Sequence, residues 1–135
     1  MTEKKDHTEK VKIVKFTDLQ TWQESHRLAL GVYAITKKFP TDERFGLTNQ
    51  IRRCSVSVTS NIAEGFGRNT FKDKAHFFYQ ARGSINELRN QLLLSRDLTY
   101  ISADEFGALD DLADTAQKLL HGLIMKTNSK LISRS

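Results

Sequence analysis

Phe78-Tyr79-Gln80-Ala81-Arg82-Gly83-Ser84-Ile85-Asn86-Glu87-Leu88-Arg89-Asn90-Gln91-Leu92 is the stretch on which the fold turns. Apolar or small residues recur at Phe78, Ala81, Ile85, Leu88 and Leu92, with Ser95 next, in steps of three and four. That spacing returns to one face of an α-helix and to no face of a β-strand. It predicts a helix that starts after Asn69-Thr70 and runs to about Thr99. Phe71, Phe77, Tyr79, Leu93, Leu94 and Leu98 fall off the stripe. Three consecutive helical residues fan over about 200°, so one packed face cannot bury 77–79 or 92–94 entirely. This helix should be covered on two sides.

Working outward, the same rhythm appears three more times. Upstream, Leu47, Ile51, Cys54, Val58 and Ile62 form a stripe, with Thr41 read as its helix cap and Asp42 and Glu43 as first-turn acids. Gly65 and Gly67 are expected to supply left-handed conformations that stop this helix. Before it, Leu19, Trp22, His26, Ala29 and Tyr33 make a first stripe, opened by a Thr17/Gln20 capping box and closed by Pro40. Downstream, a Ser102/Glu105 capping box opens a fourth stripe of Phe106, Leu109, Ala113, Ala116, Leu120 and Leu123. Short links between long helices force antiparallel neighbours. The fold class is therefore all-α, an antiparallel up-down-up-down four-helix bundle over residues 16–127. Residues 1–15 read as a flexible polar arm and 128–135 as a frayed tail.

Composition narrows the class further. A chain of 135 residues is one domain by length and needs no metal or disulfide staple. The single cysteine, Cys54, allows no internal disulfide and suits a reducing, cytoplasmic setting. No secretory signal is recognisable, and no apolar run is long enough to span a membrane. The formal charge is +5 and the sequence pI about 9.4, which makes an anionic partner reasonable. Cations outnumber acids between Lys37 and Ile101, and acids outnumber cations from Ser102 to Thr127, so a basic side and an acidic side are expected.

Catalytic and metal chemistry find no support. His7, His26, His76 and His121 show no paired ligand spacing, and His26, falling on a core stripe, reads as a hydrogen-bonded core residue. Cys54 lies on an apolar face, where a thiol is inert. Glu64 and Arg68 read as an ion pair at a helix end. No enzyme activity and no cofactor are expected.

A sharper pattern is the heptad spacing of Arg82, Arg89 and Arg96, which stacks them along one side of a helix with Tyr79 and Asn86. Lys72 and Lys74 precede them, and Arg52, Arg53 and Arg68 lie on the adjoining helix and turn. Repeated cations along a line suit phosphate contacts to RNA or DNA. The same arginines could equally form a solvated face or anchor a subunit interface. Gly83 in mid-helix costs about 1 kcal/mol relative to alanine. It implies a backbone approached closely by another helix, within the bundle or from a second subunit. With the wide apolar surface, this makes a homo-oligomer the expected state.

Phe16-Thr17-Asp18-Leu19 with Trp22-Gln23, Phe39-Pro40 with Glu43-Arg44-Phe45-Gly46-Leu47, Gln50-Ile51-Arg52-Arg53, Ser60–Arg68, and Ala81-Arg82-Gly83-Ser84 with Glu87-Leu88 carry a resemblance. Over roughly Phe16 to Leu123 the chain resembles the bacterial 23S rRNA intervening-sequence family of four-helix-bundle proteins. The resemblance implies an antiparallel bundle assembled as a ring-shaped homopentamer. It is also distant kin to the accessory variability determinant of diversity-generating retroelements, a basic pentameric barrel that binds nucleic acid and a reverse transcriptase. No catalytic residues come with it. Two functions stay open: an oligomeric protein binding RNA or DNA through a basic face, and a scaffold whose arginines and apolar surface contact subunits or a protein partner.

Overall fold

The computed structural model describes residues 12–133. Four helices account for most of them: α1 (Gln20–Thr36), α2 (Leu47–Gly67), α3 (Phe71–Asp97) and α4 (Ala103–Ser133), with no strand among the described residues. Each helix touches two neighbours in cyclic order, α1 on α2, α2 on α3, α3 on α4 and α4 on α1. The core has two halves. In one, Leu28 and Val32 late in α1 meet Leu47, Ile51 and Cys54 early in α2, Leu88 and Leu92 late in α3, and Leu109 and Ala113 early in α4. In the other, Leu19 and Trp22 beside the start of α1 meet Val58 and Ile62, Phe78, Ala81 and Ile85, and Ala116, Leu120 and Ile124. Late meets early at every seam, so the four helices alternate in direction.

The stripes of α2 and α3 are buried as their spacing predicts, residue for residue. The α4 stripe holds at Leu109, Ala113, Ala116 and Leu120 and continues through Ile124 and Thr127. The capping box at its start forms in both directions: Glu105 N–H donates to Ser102 Oγ (3.1 Å), and Ser102 N–H donates to Glu105 Oε1 (2.8 Å). Helix α4 then runs on to Ser133, past the break expected at Asn128.

Helix α1 departs from its reading. Its buried face is Thr21, Ser25, Leu28, Ala29, Val32 and Thr36, turned by about one residue from the aromatic stripe. Three of these carry hydroxyls, and Ser25 and Thr36 return theirs to carbonyls one turn back, at 2.7 and 2.8 Å. That internal bonding lets small polar side chains sit against the core. His26 consequently lies on the exposed side, stacked on Trp22 at 4.6 Å between centroids; it is not a core histidine. The Thr17/Gln20 box does not form either. A single 3-10 turn, Phe16–Asp18, precedes the helix, and the Asp18 carboxylate accepts from the Val14 and Lys15 N–H groups, both at 3.0 Å.

Both helix stops differ from expectation. No described glycine has positive φ: α2 runs through Gly65 and ends at Gly67 without a left-handed residue. Gly65 serves a close approach instead: a Cβ there would meet the Phe78 ring at 2.6 Å. Among the described residues the left-handed one is Thr99, at φ 63°, where α3 ends with Tyr100 N–H returning to Ser95 O (2.9 Å). Likewise Thr41 opens only a 3-10 turn (Thr41–Glu43), and α2 begins at Leu47, whose N–H donates to Glu43 Oε1 (3.2 Å). The loop before α2 docks on the loop before α4. Phe39 lies against Tyr100, the Tyr100 hydroxyl donates to Glu43 Oε2 (2.8 Å), and Lys38 pairs with Glu105.

Candidate functional site

The heptad strip on α3 exists, and it faces α4. Asn128 of α4 donates to the Tyr79 hydroxyl at 2.7 Å, and Gln117 donates to Asn86 Oδ1 at 2.7 Å. Arg89 sits at the centre of this seam. Its Nε donates to Asp110 Oδ1 (3.1 Å), its Nη1 to Gln117 Oε1 (2.6 Å), and Asp114 lies 3.5 Å from Nη1. The three α4 partners follow steps of four and three, the spacing that lines one helix edge. Chiefly Lys118, with Arg89 adding to it, holds the Asp114 carboxyl below the usual carboxylate range. Two carboxylates therefore neutralise the middle of the strip.

On either side the arginines behave differently. Arg82 lies over the Tyr79 ring at 4.8 Å with no carboxylate within ion-pair distance among the described residues. Arg96 pairs with Asp97 (3.0 Å) and covers the Phe106 ring at 4.7 Å. Arg68 pairs with Glu64 (3.2 Å) across one helical turn and covers Phe77 at 4.6 Å. The Glu64–Arg68 pair is thus the structural one its spacing indicates.

Two of the cations serve the bundle itself. Lys74 donates to the Phe66 carbonyl at 2.6 Å and reaches Gly65 O at 3.4 Å, so it closes the C-terminal end of α2. Burial, and secondarily Lys130, push its pKa down. Arg52 clasps α1: Nε donates to Thr36 Oγ1 at 2.7 Å and Nη2 to Tyr33 O at 3.4 Å, with the guanidinium 4.9 Å over the Tyr33 ring. Arg53 and Lys72 are exposed and have no ion-pair partner among the described residues. Arg53 edges a polar groove between α2 and α3, floored by Cys54, Ser57 and Ser84. There the Ser57 and Ser84 hydroxyls meet at 2.9 Å and Cys54 Sγ donates to Ser84 O at 3.0 Å. Burial pushes the Cys54 thiol up to about 12, the inert state its position on the apolar face predicts.

The eight sequence-chosen cations therefore do not form one face. Arg52 lies on the α1–α2 seam, Arg53 on α2–α3, and Arg82, Arg89 and Arg96 on α3–α4, while Arg68, Lys72 and Lys74 gather at the α2–α3 turn. Gly83 also resists its expected explanation inside the bundle. A Cβ there would meet nothing within 4 Å. Sequence reasoning allowed the arginines to pair with acids of the fourth helix; the structure singles out Asp110 and Asp114 and adds Gln117, which it missed, on one edge of α4.

No group of three or more His, Cys, Asp or Glu among the described residues could hold a metal ion, and no described helix is long and apolar enough to cross a membrane. Fold and surface together define an all-α, closed four-helix-bundle protein. Residues 17–122 match the family of the 23S rRNA-intervening sequence protein, and the chain belongs to that family. It is also similar to a crystal structure of a protein of unknown function from the S23 ribosomal protein family of Bacteroides thetaiotaomicron VPI-5482. That match has a TM-score of 0.72 and 22% identity, and covers 77% of this chain and 97% of the other. At this identity it speaks for the fold. No curated protein matches the chain.

Proposed function

We propose that the protein is a non-enzymatic scaffold that assembles with further copies of itself. The observation that supports it is the set of large side chains left outward on otherwise regular helices. Leu30 is 59% exposed and Val56 42%, on α1 and α2, and Leu94 is 47% exposed on α3, with Tyr33, Leu93 and Leu98 each about two-fifths exposed. Burying one such side chain contributes roughly 1.5–3 kcal/mol when complete. Arginines laid over Tyr33 and Phe106 add the residue types that anchor protein interfaces. Open space over Gly83 suits close approach by a helix of another copy. The ring-shaped pentamer implied by the family resemblance is the specific assembly proposed. Light scattering after gel filtration tests it. A multiple of the 15.4 kDa chain mass is expected, collapsing towards one chain when Leu30→Glu and Val56→Glu are combined. A wild-type protein that elutes as a single chain at every concentration refutes the proposal.

A second reading, RNA or DNA binding, is favoured by the cations without carboxylate partners. Arg53, Lys72 and Arg82 remain available to phosphates, and the net charge is +5. One ring would multiply three weak contacts by its copy number. Affinity for a structured RNA should then fall steeply with salt, and the triple change of Arg53, Lys72 and Arg82 to Glu should remove it while leaving the solution mass unchanged. Changing Arg89 is expected to alter stability more than binding. Salt-independent binding, or none at low salt, overturns this reading.

A further inference from the structure

We propose that the hollow between the end of α1 and the start of α2 is a binding site for a phosphate group. Its cations are Lys37, Arg44 and Arg52, and its hydroxyls belong to Thr36, Thr41 and Thr48. The hollow holds about 220 Å³, and no carboxylate lines it. The two acids of the intervening turn look elsewhere. Glu43 accepts from the Tyr100 hydroxyl and the Leu47 N–H, and Asp42 and Glu43 both act on Tyr100. The Glu43 carboxylate thus bridges Tyr100 and the start of α2, while the cations of the turn line the hollow.

Three features make this more than a basic patch. Arg52 is held in place by Thr36, Tyr33 O and the Tyr33 ring, which engage two of its five N–H donors and leave three for an oxyanion. An arginine already immobilised loses little entropy when it binds a planar or tetrahedral anion. Thr48 lies in the wall with its hydroxyl oxygen buried and without a hydrogen-bond partner, a condition proteins rarely tolerate without a reason. Thr48 is also in the first turn of α2, a 21-residue helix whose N-terminal dipole favours negative charge; Glu43 takes the Leu47 N–H at that end (3.2 Å). Lys37 and Arg44 are exposed, have no ion-pair partner among the described residues, and can close over a ligand from either side.

The site is tested on the full-length protein. Inorganic phosphate, adenosine 5′-monophosphate and adenosine are titrated separately while backbone amide and Arg52 Nε–H resonances are followed by NMR. Saturable shifts centred on Thr36, Thr48 and Arg52 are expected with the two phosphates and not with adenosine. A tighter mononucleotide identifies a phosphate ester as the natural source, and equal affinities identify the free ion. Lys37→Ala with Arg44→Ala should weaken binding about tenfold or more without moving the thermal midpoint, because neither side chain supports the fold. Thr48→Val should weaken binding while keeping the shape of the wall. Unsaturable shifts spread over all cationic residues, a response to adenosine equal to that of the mononucleotide, or unchanged affinity in the Lys37/Arg44 variant would overturn the site.

Discussion

Gly65 and Gly83 are both helical, yet they answer to different neighbours. Around Gly65 the Phe78 ring carbons lie 2.6 and 2.9 Å from where a Cβ would stand, and Phe77 Cβ lies at 3.1 Å. A ring fixed in the core cannot retreat cheaply. Gly65→Ala is expected to lose about 1–3 kcal/mol in urea unfolding through overpacking. At Gly83 there is open space, so Gly83→Ala should gain about 1 kcal/mol from helix propensity alone. If another copy covers this face, the same change lowers the oligomer mass instead, which makes Gly83→Ala a reporter of assembly. Thr99 shows the opposite economy: a β-branched residue holds the left-handed position that glycine usually takes. The turn closes α3, with the Thr99 and Tyr100 N–H groups returning to Arg96 O and Ser95 O at 2.9 Å, and it sets Tyr100 against Phe39 and Glu43.

At the scale of elements, carboxylates secure the helix starts and seams. Asp18 accepts two backbone N–H groups ahead of α1, Glu105 takes Lys38 and the Ser102 N–H at the start of α4, and Asp114 joins Lys118 and Arg89. All three pKa values lie below their ordinary 3.8 or 4.5. A carboxyl whose folded pKa is depressed gives up stability only as pH falls through that folded value. The contribution is complete above the ordinary values and fades beneath them. Thermal midpoints followed by circular dichroism should therefore hold from neutrality to about pH 5 and decline below about pH 4. Asp114→Asn should make that decline shallower, and a loss already complete at pH 5 would assign it to other groups. The same seam explains why the arginine strip reads differently in one dimension and in three. Heptad spacing correctly placed Arg82, Arg89 and Arg96 on one edge of α3, but Asp110 and Asp114 could be paired with Arg89 only after α4 lay alongside.

For the whole molecule, the decisive quantity is how much apolar surface a single bundle leaves in water. If copies associate, folding and association are linked, and the thermal midpoint must rise with protein concentration. That dependence should vanish in the Leu30→Glu, Val56→Glu variant. The sequence by itself determined the all-α class, the buried stripes of α2, α3 and α4, the inert Cys54 and the family, because each rests on local periodicity or on motifs read in order. Tertiary structure alone decided the face of α1, where hydroxyls bonded one turn back take buried positions, Trp22 is left partly buried and His26 and Tyr33 are exposed. It alone turned Gly65 from a helix stop into a contact with Phe78, and tied Arg52, Lys74 and Arg89 into the bundle. The physical reason is that periodicity reports only which residues share a side of one helix. What a charge or a glycine does there depends on the neighbour across the seam, and that neighbour is tens of residues away in the chain.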